Sequence, residues 1–240
     1  MTPISVEQLC KTYVTGLNAR QTVRAVDNIS FTVSDGQTYV LVGPNGAGKT
    51  SLIRLLLGLM RPDKGKITLY GENPGIPKAR QRVAYVPETP ALYPWASGDE
   101  NILYFGRLKG LAAEAIRERS NHWLRRMHLD EPRQKNAVST YSKGMRQKLA
   151  LTIALIQNPG LLILDEPFSG LDPLSRRDII DVLKELQGGG TSMFICSHIL
   201  SDVQQLAHAV HLLNLGKTVD YWNPTQGGSL EDWYIGKLRT

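Results

Sequence analysis

The run Gly43-Pro44-Asn45-Gly46-Ala47-Gly48-Lys49-Thr50 constrains this chain more than any other stretch. It matches G-x-x-x-x-G-K-[ST]. It lies between the apolar segment Tyr39 to Val42 and a helix-patterned segment, Ser51 to Met60, that Arg61-Pro62 closes. A strand, a glycine loop and a helix in that order bring backbone amides and the positive end of a helix onto one anion. The glycines let the chain turn tightly and approach a phosphate closely. Lys49 can then reach the β- and γ-phosphates of a nucleotide, and Thr50 can place its hydroxyl on Mg2+. Gly43, Pro44, Asn45, Gly46, Ala47, Gly48, Lys49, Thr50 and Ser51 are therefore the nucleotide-binding candidates.

The remaining elements predict an α/β fold around that loop. Ile4 to Leu9 and Ala25 to Val33 alternate apolar and polar residues as strands do, and Asp35-Gly36 marks a turn. Further strands are predicted at Lys66 to Tyr70, Arg82 to Val86, Leu161 to Leu164, Ser192 to Cys196 and His211 to Leu215. Helices are predicted at Asp99 to Leu108, Ala112 to Leu129, Lys143 to Gln157, Leu174 to Gln187 and Ser201 to His208. Strands alternating with helices predict a parallel sheet covered on its faces, and the helical block in the middle reads as an inserted lobe.

Bulk properties narrow the setting. A chain of 240 residues, 42% hydrophobic and 21% charged, can bury a core of useful size. The formal charge of +6 reads as a solvated surface, with nucleic acid or an anionic membrane face as the alternative. Cys10 and Cys196 are the only cysteines, which excludes a disulfide framework and a zinc site. The N-terminus carries no basic-then-apolar pattern, so no signal peptide is expected. The longest apolar runs fall short of a membrane span, so work at a membrane would need another chain to cross it.

A second chemical site is legible at Leu161-Leu162-Ile163-Leu164-Asp165-Glu166-Pro167, an apolar strand ending in two acids. Such acids lie at the rim of the sheet, where open α/β folds bind ligands. Asp165 is placed to hold Mg2+, and Glu166 to orient and deprotonate an attacking water. Four other features stand in a fixed order around these two sites. They are Tyr13, the run Tyr141-Ser142-Lys143-Gly144-Met145-Arg146-Gln147, the run Ser169-Gly170-Leu171-Asp172, and His198 after the strand ending at Cys196. Taken singly, Ser142 reads either as a helix cap or as a phosphate contact, His198 as a core histidine or a switch, and Tyr13 as packing or a base-stacking ring.

Together they resemble the ATP-binding cassette proteins over nearly the whole chain. The run from Tyr141 resembles that family's signature motif, matched at Ser142, Gly144 and Gln147, with Lys143 in place of a glycine. Asp172 falls in a loop similar to the family's D-loop, and His198 resembles its switch histidine. Tyr13 stands where the family places an aromatic against adenine. The resemblance implies a P-loop NTPase (RecA-like) core with a small N-terminal antiparallel β subdomain and an inserted α-helical subdomain. The whole chain, 1–240, would be one such domain, with core segments 1–87 and 160–240 and a helical subdomain over 88–159. It implies ATP and Mg2+ as ligands, with Thr50, Asp165 and Glu88 at the metal and Glu166, His198 and Glu88 at the chemistry. Ser142, Lys143, Gly144 and Gln147 of one copy would meet the nucleotide on another, with Asp172 at the junction.

The function implied by this resemblance is that of an ATP-hydrolysing subunit that pairs with a second ATP-binding subunit, identical or related. It would power export by a membrane-spanning partner from the cytoplasmic face of the membrane. The alternative is a cassette acting on nucleic acid or ribosomes; the short span between Lys49 and Ser142 leaves no room for a long coiled coil, and only one cassette is present. Glu88 departs from the family, which has glutamine there. Glutamate accepts from metal-bound water but donates no amide hydrogen, so hydrolysis is expected to depend more strongly on Mg2+ and pH. Pro90 to Trp95, with Leu92, Tyr93 and Trp95, reads either as a docking groove for the partner or as packing within the domain.

Overall fold

The structure is a computed structural model that describes residues 1–15, 21–129 and 135–239. Three strands, β1 (Ile4–Thr15), β2 (Gln21–Val33) and β4 (Lys64–Leu69), form an antiparallel sheet in the order β2-β1-β4. The second sheet contains β3 (Thr38–Val42), β5 (Val83–Val86), β6 (Leu161–Asp165), β7 (Ser192–Cys196), β8 (Ala209–Asn214) and β9 (Lys217–Trp222). Its order is β5-β6-β7-β3-β8-β9, parallel except for the final β8–β9 hairpin.

Side-chain alternation explains why the central strands are apolar at every position. Val40, Val42, Leu162, Leu164, Met193 and Ile195 belong to one core cluster, while Tyr39, Leu41, Leu161, Ile163, Phe194 and Cys196 belong to another. The second cluster also holds α1 (Lys49–Leu56) through Leu52, Ile53, Leu55 and Leu56, together with Ile4, Val6, Ile29 and Phe31 of the antiparallel sheet. Each of those four helix residues is at most 1% exposed, which contributes about 1.5–3 kcal/mol apiece. The α/β core and the N-terminal antiparallel sheet expected from the sequence are both present.

The opposite face of the large sheet is covered by α5 (Pro173–Gly188), α6 (Leu200–Val203) and α7 (Leu230–Leu238). A third cluster is built from α2 (Gly98–Leu108), α3 (Ala113–Arg126) and α4 (Lys143–Leu155). Helix α4 belongs to both: Leu149 and Ile153 face the helical cluster, and Ala150, Leu151, Ala154 and Leu155 face the sheet. A helix buried on nearly every side ties the two bodies together.

Three elements depart from expectation. The helix expected over Ser201 to His208 stops at Val203, because Thr38 at the start of β3 captures the next segment. The His208 amide donates to the Thr38 carbonyl, and the Thr38 amide donates to His208 Nδ1, each at 2.9 Å. The expected strand His211 to Leu215 is Ala209–Asn214, because Leu215 (φ 47°) and Gly216 (φ 78°) turn the chain into β9. Strand β9 carries no buried alternation that a sequence pattern can reveal; of its six residues only Trp222 is buried. Helix α7 covers the tail, with Ser229 accepting from the amides of Glu231 and Asp232.

Candidate functional site

The loop after β3 is shaped by close backbone approaches. A Cβ on Gly43 would fall 2.2 Å from the Leu213 carbonyl oxygen, and one on Gly48 would fall 2.1 Å from that of Ala25. Gly48 also holds φ at +108°, a conformation that favours glycine. The Gly216 amide, in the β8–β9 turn, donates to the Ala47 carbonyl at 2.9 Å. The first α-helical bond of α1 runs from the Leu52 amide to the Gly48 carbonyl. The amides of Lys49, Thr50 and Ser51 therefore precede the helix ladder and open toward the loop. Lys49 Nζ lies 2.6 Å from the Gly43 carbonyl and 3.2 Å from that of Pro44, with its side chain buried.

Two acids meet this loop from the C-terminal end of β6. The Glu166 carboxylate accepts from His198 Nδ1 at 2.7 Å and from the His198 amide at 3.1 Å, both through Oε2. Its other oxygen stands 3.9 Å from Lys49 Nζ. Glu166 is 9% exposed and adopts φ 48°, a left-handed backbone that a branch-free acid tolerates only at a cost of about 1–2 kcal/mol. Its amide is tied to the Cys196 carbonyl at 2.8 Å, which holds that geometry in place.

Asp165 is buried beside Glu166, and burial, then Glu166 and then Glu88, push its carboxyl up to about 6; Lys49 and Arg54 oppose the rise. An excess of hard, anionic oxygens that nearby cations do not offset fits Mg2+. Among the described residues no group of three or more His, Cys, Asp or Glu side chains forms a metal-binding cluster. Thr50 and Asp165, which line one cleft, are the side chains that would hold Mg2+.

A cleft of about 570 Å3 joins these groups: it is lined by Tyr13, by Asn45 through Ser51, and by Glu88, Asp165, Glu166, Ser169 and His198. The Tyr13 hydroxyl reaches Ser51 Oγ and Met60 Sδ, each at 3.1 Å. Glu88 is exposed at the rim. The structure does not bring Ser142, Lys143, Gly144, Gln147 or Asp172 into this cleft. Ser142 caps α4 by accepting the Met145 amide, and Asp172 caps α5 by accepting the Ser175 amide. The two caps are neighbours, since a Cβ on Gly144 would fall 2.3 Å from Ser175 Oγ and 3.2 Å from Asp172 Oδ2. Ser142, Lys143 and Asp172 are exposed. Gln147 departs from the expectation of a phosphate contact: it is 3% exposed, turned into the domain on the buried side of α4.

A family model described as ABC transporter matches residues 26–169, which include the glycine loop, the Ser142 region and the two acids. The chain belongs to the ABC transporter family. Among its relatives within that family is an uncharacterized ABC transporter ATP-binding protein of Nostoc, 39% identical over 217 residues, covering 90% of this chain and 65% of that one. The Nod factor export ATP-binding protein I of Ralstonia nicotianae is 38% identical over 226 residues, with coverages of 93% and 68%. The linearmycin resistance ATP-binding protein LnrL of Bacillus subtilis is 35% identical, with coverages of 81% and 63%. The chain thus spans between 60% and 68% of the length of the relatives it matches. In three dimensions it is similar to an ATP binding subunit of an ABC transporter, with a TM-score of 0.87, 29% identity and coverages of 99% and 100%. It also shares its fold with a dimeric ATP-binding cassette bound to ADP and Pi, with a TM-score of 0.83 and 20% identity.

Within this ABC cassette the cleft contains wall residues that sequence reasoning did not single out, Val23 and Ala25, together with Ser169 from the run that ends at Asp172. Val23 sits across the ladder from Tyr13. The period-two spacing of Val23 and Ala25 was the available signal, but it does not say which face of β2 meets the loop. A second groove, of about 560 Å3, runs past Leu57, Tyr85, Leu92, Phe105, Leu108 and Ile153. Tyr93 packs within the lobe, its ring centroid 4.9 Å from that of Tyr104 and 5.4 Å from that of Trp95, while Trp95 remains 75% exposed.

Proposed function

We propose that this chain is the ATP-binding and hydrolysing subunit of an exporter. The observation that carries the reading is the arrangement around Glu166. One of its oxygens is fixed by the ring and the amide of His198, the other faces Lys49, and the pair stands at the mouth of the glycine loop.

In this reading the phosphates of ATP lie against the amides of the loop and draw Lys49 toward the β- and γ-oxygens. Thr50 and Asp165 would hold Mg2+, which when bound would offset negative charge on the phosphate oxygens. Glu166 orients a water in line with the γ-phosphate and takes its proton, giving ADP and inorganic phosphate. His198 keeps the carboxylate in position, and Glu88, at the rim, would help hold Mg2+ beside Thr50 and Asp165. Tyr13 stacks on the adenine.

The second half of the site comes from another ATP-binding subunit. Ser142 and Lys143 are exposed at the start of α4, away from their own cleft, and Gly144 lies against the cap of α5 where Asp172 is also exposed. Ser142, Lys143 and Gly144 would meet the γ-phosphate held by the other copy, and Asp172 would lie where the two copies touch. Gln147 has no part in that contact. Segments 1–87 and 160–240 would act as the nucleotide core and 88–159 as the lobe that carries this face.

Export is supported by what the relatives are called, Nod factor export in two cases and linearmycin or daunorubicin resistance in two others. Among the described residues no helix is long and apolar enough to cross a membrane. In this reading the membrane-spanning partner is a separate body, docked in the groove beside Leu92 and Trp95 on the cytoplasmic face. Phosphate release by wild type and by Glu166→Gln tests the chemistry. The variant is expected to bind ATP and to lose on the order of 100-fold or more in rate; turnover near that of wild type would remove Glu166 from its role.

A further inference from the structure

The β1 half of the ribbon that carries Tyr13 loses its outer neighbour early, whereas the β2 half packs against Gly48 and Gly216. The pairing of β1 with β4 ends at Cys10 and Lys64, whereas the pairing of β1 with β2 continues to Thr15 and Gln21. Beyond Cys10 the two strands therefore form a ribbon of their own, with Val14 and Val23 exposed. A two-stranded ribbon is marginally stable in water. Its register with β2 also shifts on both sides of Lys11, just before Tyr13. Such irregularities bend a strand and re-aim its side chains, and they need a fixed point to select one direction.

Asp63, in the turn between α1 and β4, supplies that point. Its Oδ2 accepts the Thr12 amide at 2.6 Å, its Oδ1 accepts from Lys11 Nζ at 2.8 Å, and its own amide donates to the Cys10 carbonyl at 2.9 Å. Three consecutive residues before Tyr13 are thus tied to one side chain and its backbone. On the far side Tyr13 itself reaches Ser51 and Met60. The ring is held between the turn that follows α1 and the first turn of α1, facing the cleft. The carboxyl is also held below the usual range for an aspartate, first by the Lys11 hydrogen bond and then by the Thr12 amide.

We propose that Asp63 is a positioning residue for the nucleotide base. Through Lys11 and Thr12 it fixes the irregular register of the ribbon and so sets Tyr13 over the mouth of the glycine loop. Asp63 touches neither base nor phosphate. This inference rests on the reading of Tyr13 as the ring that stacks on adenine, and it predicts an effect on the base that spares the phosphates.

The test compares the full chain's affinity for ATP with that for inorganic tripolyphosphate, both with Mg2+, in wild type, Asp63→Ala, Asp63→Asn and Tyr13→Ala. Asp63→Ala is expected to weaken ATP about tenfold, as losing a stacked base does, and to leave tripolyphosphate within about twofold. Asp63→Asn keeps an acceptor for the Thr12 amide and is expected to recover part of the loss. Combining Asp63→Ala with Tyr13→Ala should add little to Tyr13→Ala alone. If Asp63→Ala weakens both ligands equally, or neither, while Tyr13→Ala still separates them, the role of Asp63 is overturned and that of Tyr13 stands. If Tyr13→Ala does not separate the two ligands, the reading of Tyr13 fails and takes this one with it. Should Asp63→Ala not fold, Lys11→Ala carries the same test: a smaller shift of the same sign supports the proposal, and an unmoved ratio contradicts it.

Discussion

At the scale of single residues, Glu166 stands between Lys49 and His198, held from the ends of β6 and β7. Lys49, Asp165 and Glu166 could be read from their motifs because each motif is a contiguous run whose chemistry depends on spacing. The partnership of Glu166 with His198 could not, since 32 positions separate them and only the parallel pairing of β6 with β7 brings them together. His211 shows the same limit. It is fully buried, with Nδ1 3.1 Å from the Tyr39 hydroxyl and Nε2 2.9 Å from Thr218 Oγ1, and burial pushes it down to about 4. A histidine whose folded value lies below its unfolded value adds stability above about 6.5 that is lost as pH falls through about 4. Over that window the loss amounts to about 3 kcal/mol at most. Asp165, raised to about 6, works in the opposite sense there. The informative quantity is therefore the difference between wild type and His211→Asn in denaturant midpoint at pH 7 and at pH 4.5. Wild type should lose more stability than the variant on acidification, and equal losses would count against a neutral buried His211.

At the scale of elements, the sequence located most strands and helices because apolar periodicity follows burial. It failed where burial was absent or a long-range bond intervened. Strand β9 presents one buried residue in six, and the helix at Leu200 is cut short by Thr38, far away in the chain. The glycine loop illustrates how elements constrain one another. Gly43 is required by the Leu213 carbonyl of β8 at 2.2 Å from its missing Cβ, whereas nothing lies within 4 Å of that position at Gly46, whose φ of +81° is the only obstacle. Gly43→Ala is accordingly expected to destabilise the fold by about 2–3 kcal/mol through forced movement of β8. Gly46→Ala should cost about 1 kcal/mol from backbone strain alone. Equilibrium unfolding of both variants checks this order, and a greater loss at Gly46 would contradict it.

At the scale of the whole molecule, the nucleotide cleft and the exposed caps of α4 and α5 lie apart within one chain. The cleft holds Lys49, Asp165, Glu166 and His198, while Ser142, Lys143 and Asp172 are exposed at the caps of α4 and α5, outside it. That separation is fixed by the core itself, because α4 is buried against both the sheet and the helical cluster and Gly144 is wedged against Ser175. In the proposed reading a second ATP-binding subunit, identical or related, would resolve it by placing each exposed cap over the other's phosphate loop, which would make ATP part of the contact and hydrolysis its release. The sequence revealed both sets of residues, but only the fold shows that the capping set lies outside the cleft. Sedimentation velocity of the Glu166→Gln chain with and without ATP and Mg2+ tests this most directly. The chain is expected to be a monomer that becomes a dimer when ATP is added and stays monomeric when Ser142→Arg is also present. A Glu166→Gln chain that binds ATP and remains monomeric at saturation would contradict it.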